Sequence, residues 1–94
     1  MAIMKLKPEG VWKNSQKHIS MTLVSVPGKS DTYAIDYSEC DKVFRDEIHL
    51  SNTNGEHWNL MDNDILGSGS FIFTSNEELV IRTYKRGEIK FIKE

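Results

Sequence analysis

Ninety-four residues, 38% hydrophobic and 28% charged with a net charge of −2, are too apolar for a disordered chain and too few for more than one domain. The single cysteine, Cys40, excludes an internal disulfide, and residues 1–7 hold no apolar run long enough for a signal peptide or a membrane span. A soluble protein of the cytoplasm is the expectation, with its acids gathered in the middle third (nine acids against Lys42 and Arg45 in residues 31–64).

Apolar residues alternate with a period of two along most of the chain, the pattern of strands that bury one face. Residues 1–9 read as a loosely ordered N-terminal segment, and Gly10-Val11-Trp12 leads into the first clear strand, in which Ile19, Met21 and Leu23 alternate. Val26-Pro27-Gly28-Lys29-Ser30 suits a longer loop that sets Leu23 opposite Tyr33. Tyr33, Ile35 and Tyr37 form the next inward row. The longest connector runs from Ser38 to Asp46, with Val43 and Phe44 expected to fold over one end of the structure.

Ile48 and Leu50 follow, then Trp58 and Leu60. Between them a three-residue loop, Thr53-Asn54-Gly55, sets Leu50 opposite Trp58 and Ile48 opposite Leu60, whereas a two-residue turn would mix the faces. Asp62 to Gly69 reads as a second irregular connector, with Gly67 and Gly69 permitting a bend or bulge. Phe71 and Phe73, then Leu79 and Ile81, then Ile89 and Phe91 complete the inward set. With Lys85-Arg86-Gly87 as the last loop, Ile81 faces Phe91 and Thr83 faces Ile89. No apolar stripe persists at helical spacing.

The predicted fold is therefore all-β: an antiparallel meander of seven or eight short strands, residues 1–94 forming a single small barrel. Eight strands of about six residues offer roughly two dozen inward positions, and bulky side chains fill most of them. A packed interior, or a shallow pocket at one mouth, follows.

Gly10-Val11-Trp12 before a meander that runs to the C-terminus resembles the lipocalin-like (calycin) barrels, especially the short bacterial lipocalin-like domains. The resemblance implies that Gly10 and Trp12 close one barrel end. It also implies that a basic side chain from near the last strands packs across the indole. Arg82 is the candidate for that partner, with Lys90 in reserve.

Motifs for chemistry are weak. His49 and His57, expected on one outward face with Glu47 and Glu56 nearby, lack the spacing of a metal site and read as solvated histidines, so no metal or cofactor is expected. Asp62-Asn63-Asp64 lacks the glycine and glutamate of a calcium loop. Gly67-Ser68-Gly69-Ser70 lacks the strand-to-helix context of a nucleophile elbow or phosphate loop. Carboxylates around Cys40 disfavour its thiolate. Arg82, Tyr84, Lys85, Arg86 and Lys90 on the last hairpin would suit phosphates, but a pI near 5.9 argues against nucleic acid as a partner.

The function expected is that of a non-catalytic binding domain, a monomer or weak homodimer with no membrane association. It would engage a small apolar ligand at the barrel mouth, through Tyr33, Tyr37, Phe44 and Trp58, or a partner protein. The alternative is a pocketless interaction module (an inhibitor, immunity or phage accessory protein) acting through its charged surface. The acidic residues Asp31, Asp36, Glu39, Asp41, Asp46 and Glu47 would serve such a role.

Overall fold

Each strand of the chain pairs with the next, and the last returns to the first. The structure, a computed structural model, describes residues 7–94. The strands are β1 (Gly10–Asn14), β2 (Ile19–Ser25), β3 (Thr32–Glu39), β4 (Lys42–Asn54), β5 (His57–Leu60), β6 (Gly69–Phe73), β7 (Glu78–Thr83) and β8 (Gly87–Lys93). All neighbours are antiparallel, and β1 closes the ring against β8 through only two residue pairs, Trp12 with Lys93 and Lys13 with Ile92. The expected meander is thus an eight-stranded closed barrel. No helix among the described residues is long and apolar enough to cross a membrane.

The inward row is the one that alternation marked. Met21, Leu23, Ile35, Tyr37, Ile48, Leu50, Phe71, Phe73, Leu79, Ile81 and Phe91 are buried to 1% exposure or less, and Tyr33, Phe44 and Trp58 pack against them half-buried. Burial of this kind stabilises by about 1.5–3 kcal/mol per large side chain. Two members come from outside the strands: Ile65 and Leu66, both buried, fold in from the Asp62–Gly69 connector and stop one end of the barrel. We call that end upper; it also carries the turns at 15–18, 40–41 and 84–86. The lower end carries the turns at 26–31, 55–56 and 74–77.

Three hairpin registers differ from expectation, each by two residues. Leu50 pairs with Leu60 rather than Trp58, which lies opposite Asn52. The extra residue there is Thr53, a bulge between Asn52 and Asn54, so the chain reverses at Gly55-Glu56. Ile81 pairs with Ile89, Leu79 with Phe91 and Thr83 with Gly87, which moves the last loop to Tyr84–Arg86. Leu23 pairs with Ile35, and Ser25 with Tyr33. Every shift is even, so every side chain keeps its face.

The Ser38–Asp46 segment is not a connector. Glu39 pairs with Lys42, so Cys40-Asp41 is a two-residue turn with both residues left-handed (φ 48° and 69°), the conformation that matches the twist of a tight hairpin. β4 consequently runs 13 residues and outreaches the four-residue β5 beside it. Phe44 does cover the upper end, against Tyr37, whereas Val43 points outward and is 59% exposed. Of the expected loose segment 1–9, residues 1–6 lie outside the described residues. Pro8 is buried, and Glu9 accepts hydrogen bonds from the Ser25 backbone N–H and hydroxyl.

Candidate interaction site

The upper end is held by one side chain. Asn63 first shapes the connector: its Oδ1 accepts from the backbone N–H of Ile65 (3.0 Å) and Leu66 (2.8 Å), and its amide donates to the Gly67 carbonyl at 2.8 Å. That fold turns Ile65 and Leu66 inward and presents the Ile65 carbonyl to Arg86, whose Nε donates to it at 3.1 Å. The same guanidinium pairs with Glu39 (3.0 Å) and lies over the rings of Tyr37 and Phe44 at 5.2 and 5.3 Å. Tyr37 donates its hydroxyl to Glu39, and burial, with the Glu39 charge next, pushes its pKa up to about 12. Arg86 is thus a clamp that ties β3, β4, β8 and the connector together.

The lower end is closed around Trp12. The indole is fully buried, donates its N–H to the Pro8 carbonyl at 2.9 Å and meets Phe73 edge-on at 5.7 Å. The cation against its ring is Lys93, at 5.8 Å. Arg82, the residue expected there, faces outward in an ion pair with Glu88, and Lys90 pairs with Glu78 at 3.6 Å. The closing pair of β1 and β8 joins Trp12 to Lys93 directly, and it brings Lys93 to the ring. Gly10, with φ 139°, sits under the Lys93 stem where a Cβ would press on it.

The four residues expected to share one mouth are divided between the ends. Tyr37 and Phe44 belong to the upper clamp, and Tyr37 is fully buried. Tyr33 and Trp58 meet edge-on at 6.4 Å near the lower end, where burial, then Glu9 and Asp31, raise the Tyr33 pKa. Trp58 Nε1 is the one buried side-chain polar atom without a hydrogen-bond partner among the described residues.

Other candidates separate as well. His49 lies across from Thr32, with its Nδ1 3.2 Å from the Thr32 hydroxyl, while His57 pairs with Asn54. Among the described residues no three His, Cys, Asp or Glu side chains gather to hold a metal. Gly69 opens β6 where the Arg82 carbonyl approaches so closely that a Cβ would overlap it, so this glycine serves strand packing. Most bases of the last hairpin are also engaged: Lys85 donates to the Asp64 carbonyl at 2.9 Å, and Arg86 is the clamp.

Two open recesses lie side by side on the outer wall, an arrangement that strand alternation alone does not reveal. β1 ends at Asn14, so the upper part of β8, before Ile92 in sequence, has no β1 residue paired with it, and the Asn14 side chain bridges the gap by donating to the Lys90 carbonyl at 2.8 Å. One recess, of about 520 Å³, is lined by Lys13, Gln16, Lys90 and Ile92 among others. The second, of about 500 Å³, continues it across Ile72, Val80, Arg82 and Lys17. Asn14, Gln16 and Lys90 border both. The wall therefore offers a floor of apolar side chains ringed by bases; Lys13, Arg82 and Lys90 are each paired with a glutamate, and Lys17 and Lys93 leave the rim with a positive surplus. Compared with known proteins, the chain matches no family model, no curated protein and no solved structure.

Proposed function

We propose that this protein is a non-catalytic binding module that engages a partner protein through the outer wall of its barrel. The observation that carries this reading is that the inward faces are filled from Trp12 to Leu66, while the open recesses lie outside, over the β8–β1 seam. An apolar floor (Ile72, Val80, Ile92) with a basic rim suits an acidic, partly apolar protein segment, because rim charge sets orientation and encounter rate while buried apolar area supplies affinity. The eight-stranded antiparallel closed barrel is compatible with the lipocalin-like resemblance, and in this reading the binding surface is the wall and not the lumen.

A second reading keeps a small ligand. The unpartnered Trp58 indole N–H beside Tyr33 suits a compact aromatic or lipid-like molecule bearing one acceptor at the lower rim. One experiment separates the two. Proton–nitrogen spectra of the labelled protein are recorded with a short peptide of alternating glutamate and leucine, and separately with a panel of fatty acids and aromatic metabolites. Shifts confined to Lys13, Gln16, Lys90 and Ile92 with the peptide support the wall. Shifts at Trp58 and Tyr33 with the small molecules, and none with the peptide, transfer the function to the lower rim.

A further inference from the structure

β4 outreaches its neighbour on one side. Its residues bond to β3 along the whole length from Lys42 to His49, but its pairing with β5 begins only at Leu50. The direction of each backbone group follows from two bonds: Leu50 donates to the Asp31 carbonyl on the β3 side, and the His49 carbonyl accepts from Met61 on the β5 side. By alternation, Val43, Arg45 and Glu47 aim their N–H and C=O groups at the β5 side, where no strand pairs with them among the described residues. One of these donors is occupied locally, the Glu47 N–H by its neighbour Asp46 at 2.8 Å. The closed barrel thus carries a short open edge on the side away from the β8–β1 seam.

Charged side chains on an edge ordinarily discourage pairing. Here their order over Lys42–Asp46 is self-complementary, although the flanking Asp41 and Glu47 are both acidic. When two such edges lie antiparallel about a two-fold axis through Phe44, Val43 of one copy falls opposite Arg45 of the other, and both residues direct their backbone groups across the interface. Lys42 then lies opposite Asp46 on each side of the axis, and the two Phe44 rings meet at the centre. Shifting the axis to Arg45 sets that arginine against its own copy and Lys42 against Ile48. The geometry points to self-recognition: β4 pairs with β4 of a second copy in the Phe44-centred register, joining two barrels through a continuous antiparallel ribbon. Asp46 keeps one carboxylate oxygen on the Glu47 N–H and offers the other to Lys42 of the second copy. The occupant is this chain itself because the charge order is complementary to its own reverse.

The test is the solution mass across a concentration series up to millimolar, by sedimentation, starting from the 10.8 kDa chain. The wild type should rise toward twice that mass. Lys42→Asp and Asp46→Lys should each weaken association at least tenfold, and the double variant should restore it, since it exchanges the charges without removing the pairs. Val43→Pro, which removes an outward-facing donor and leaves the β3 side intact, should stay monomeric; dispersed spectra identify variants that remain folded. On a Cys40→Ser background, Phe44→Cys should oxidise to a covalent dimer, because Cα atoms at a non-hydrogen-bonded pair lie within disulfide reach. A wild type that stays monomeric to millimolar overturns the proposal, as does a dimer indifferent to both charge reversals. So does a monomer whose Val43–Glu47 amides shift only with an added extended peptide, which would make the edge a heterologous strand acceptor.

Discussion

Replacing Arg86 with methionine removes the upper clamp while keeping most of its aliphatic stem. Three contacts are lost at once: the charged donor to the Ile65 carbonyl, the pair with Glu39 and the stack over Tyr37 and Phe44. A charged hydrogen bond contributes about 1.5–3 kcal/mol, each cation–π contact about 0.5–1 kcal/mol, and a partly exposed ion pair at most about 1 kcal/mol. These share one side chain and do not add in full, so a loss of about 2–4 kcal/mol is expected. For a domain of this size that lowers Tm by roughly 10–25 °C. Urea unfolding followed by tryptophan fluorescence measures it, and amide exchange should show residues 62–68 opening before the strands. Arg86→Lys should recover less than half of the loss, because an ammonium cannot reach the carbonyl, the carboxylate and both rings together. A loss below about 1 kcal/mol in Arg86→Met would refute the clamp and leave the Ile65–Leu66 plug to hold the end by burial alone.

Three further outcomes follow. Tyr37, held near 12 against an ordinary 10.0, keeps its proton longer in the folded state than in the unfolded chain. Its contribution to stability is therefore complete below pH 10 and is lost as pH rises from 10 toward 12. Alkaline unfolding of wild type against Tyr37→Phe, with phenolate absorbance as readout, should show a steeper fall in the wild type, the remainder in the variant coming from Tyr33. Gly69→Ala drives a methyl into the Arg82 carbonyl and should cost about 3 kcal/mol in urea unfolding, whereas Ser70→Ala next to it should stay within about 0.5 kcal/mol. Lys93→Met should shift Trp12 emission in a Trp58→Phe background and cost about 0.5–1 kcal/mol; Arg82→Met should leave that emission unchanged.

What the sequence made legible is the face of each residue. Alternation of Ile19, Met21 and Leu23, or of Leu79 and Ile81, determines which side chains point inward, since a strand has a period of two. It does not determine which inward residues pair: Leu50 opposite Trp58 and Leu50 opposite Leu60 satisfy the same face rule, and a bulge at Thr53 decides between them. The β3–β4 turn escaped because neither Cys40 nor Asp41 is the glycine or asparagine that advertises a left-handed turn. The following residues, Lys42 to Glu47, pair with β3 but have no strand beside them on the β5 side, and so lack the apolar alternation that burial on both sides imposes. At the candidate sites, the four aromatic residues expected at one mouth lie as two pairs, Phe44 with Tyr37 at one barrel end and Trp58 with Tyr33 near the other. The signal for the plug was present: an asparagine three residues before Leu66, followed by two adjacent apolar side chains in an otherwise polar connector. The Lys93 contact with Trp12 depends on ring closure, which joins residues 81 positions apart and leaves no local trace.

The two-pair seam between β1 and β8 has a mechanical consequence. The strands are antiparallel, and Gly10 and Lys93 leave the barrel at the same lower end. A force applied to the two chain ends therefore peels the seam open one bond after another instead of shearing all of its bonds together. The barrel should yield at low force in that direction. The same proximity, with the Glu94 N–H already bonded to the Val11 carbonyl at 2.8 Å, makes a short peptide bridge across the seam geometrically easy. Chain breaks could then be moved to any of the tight turns.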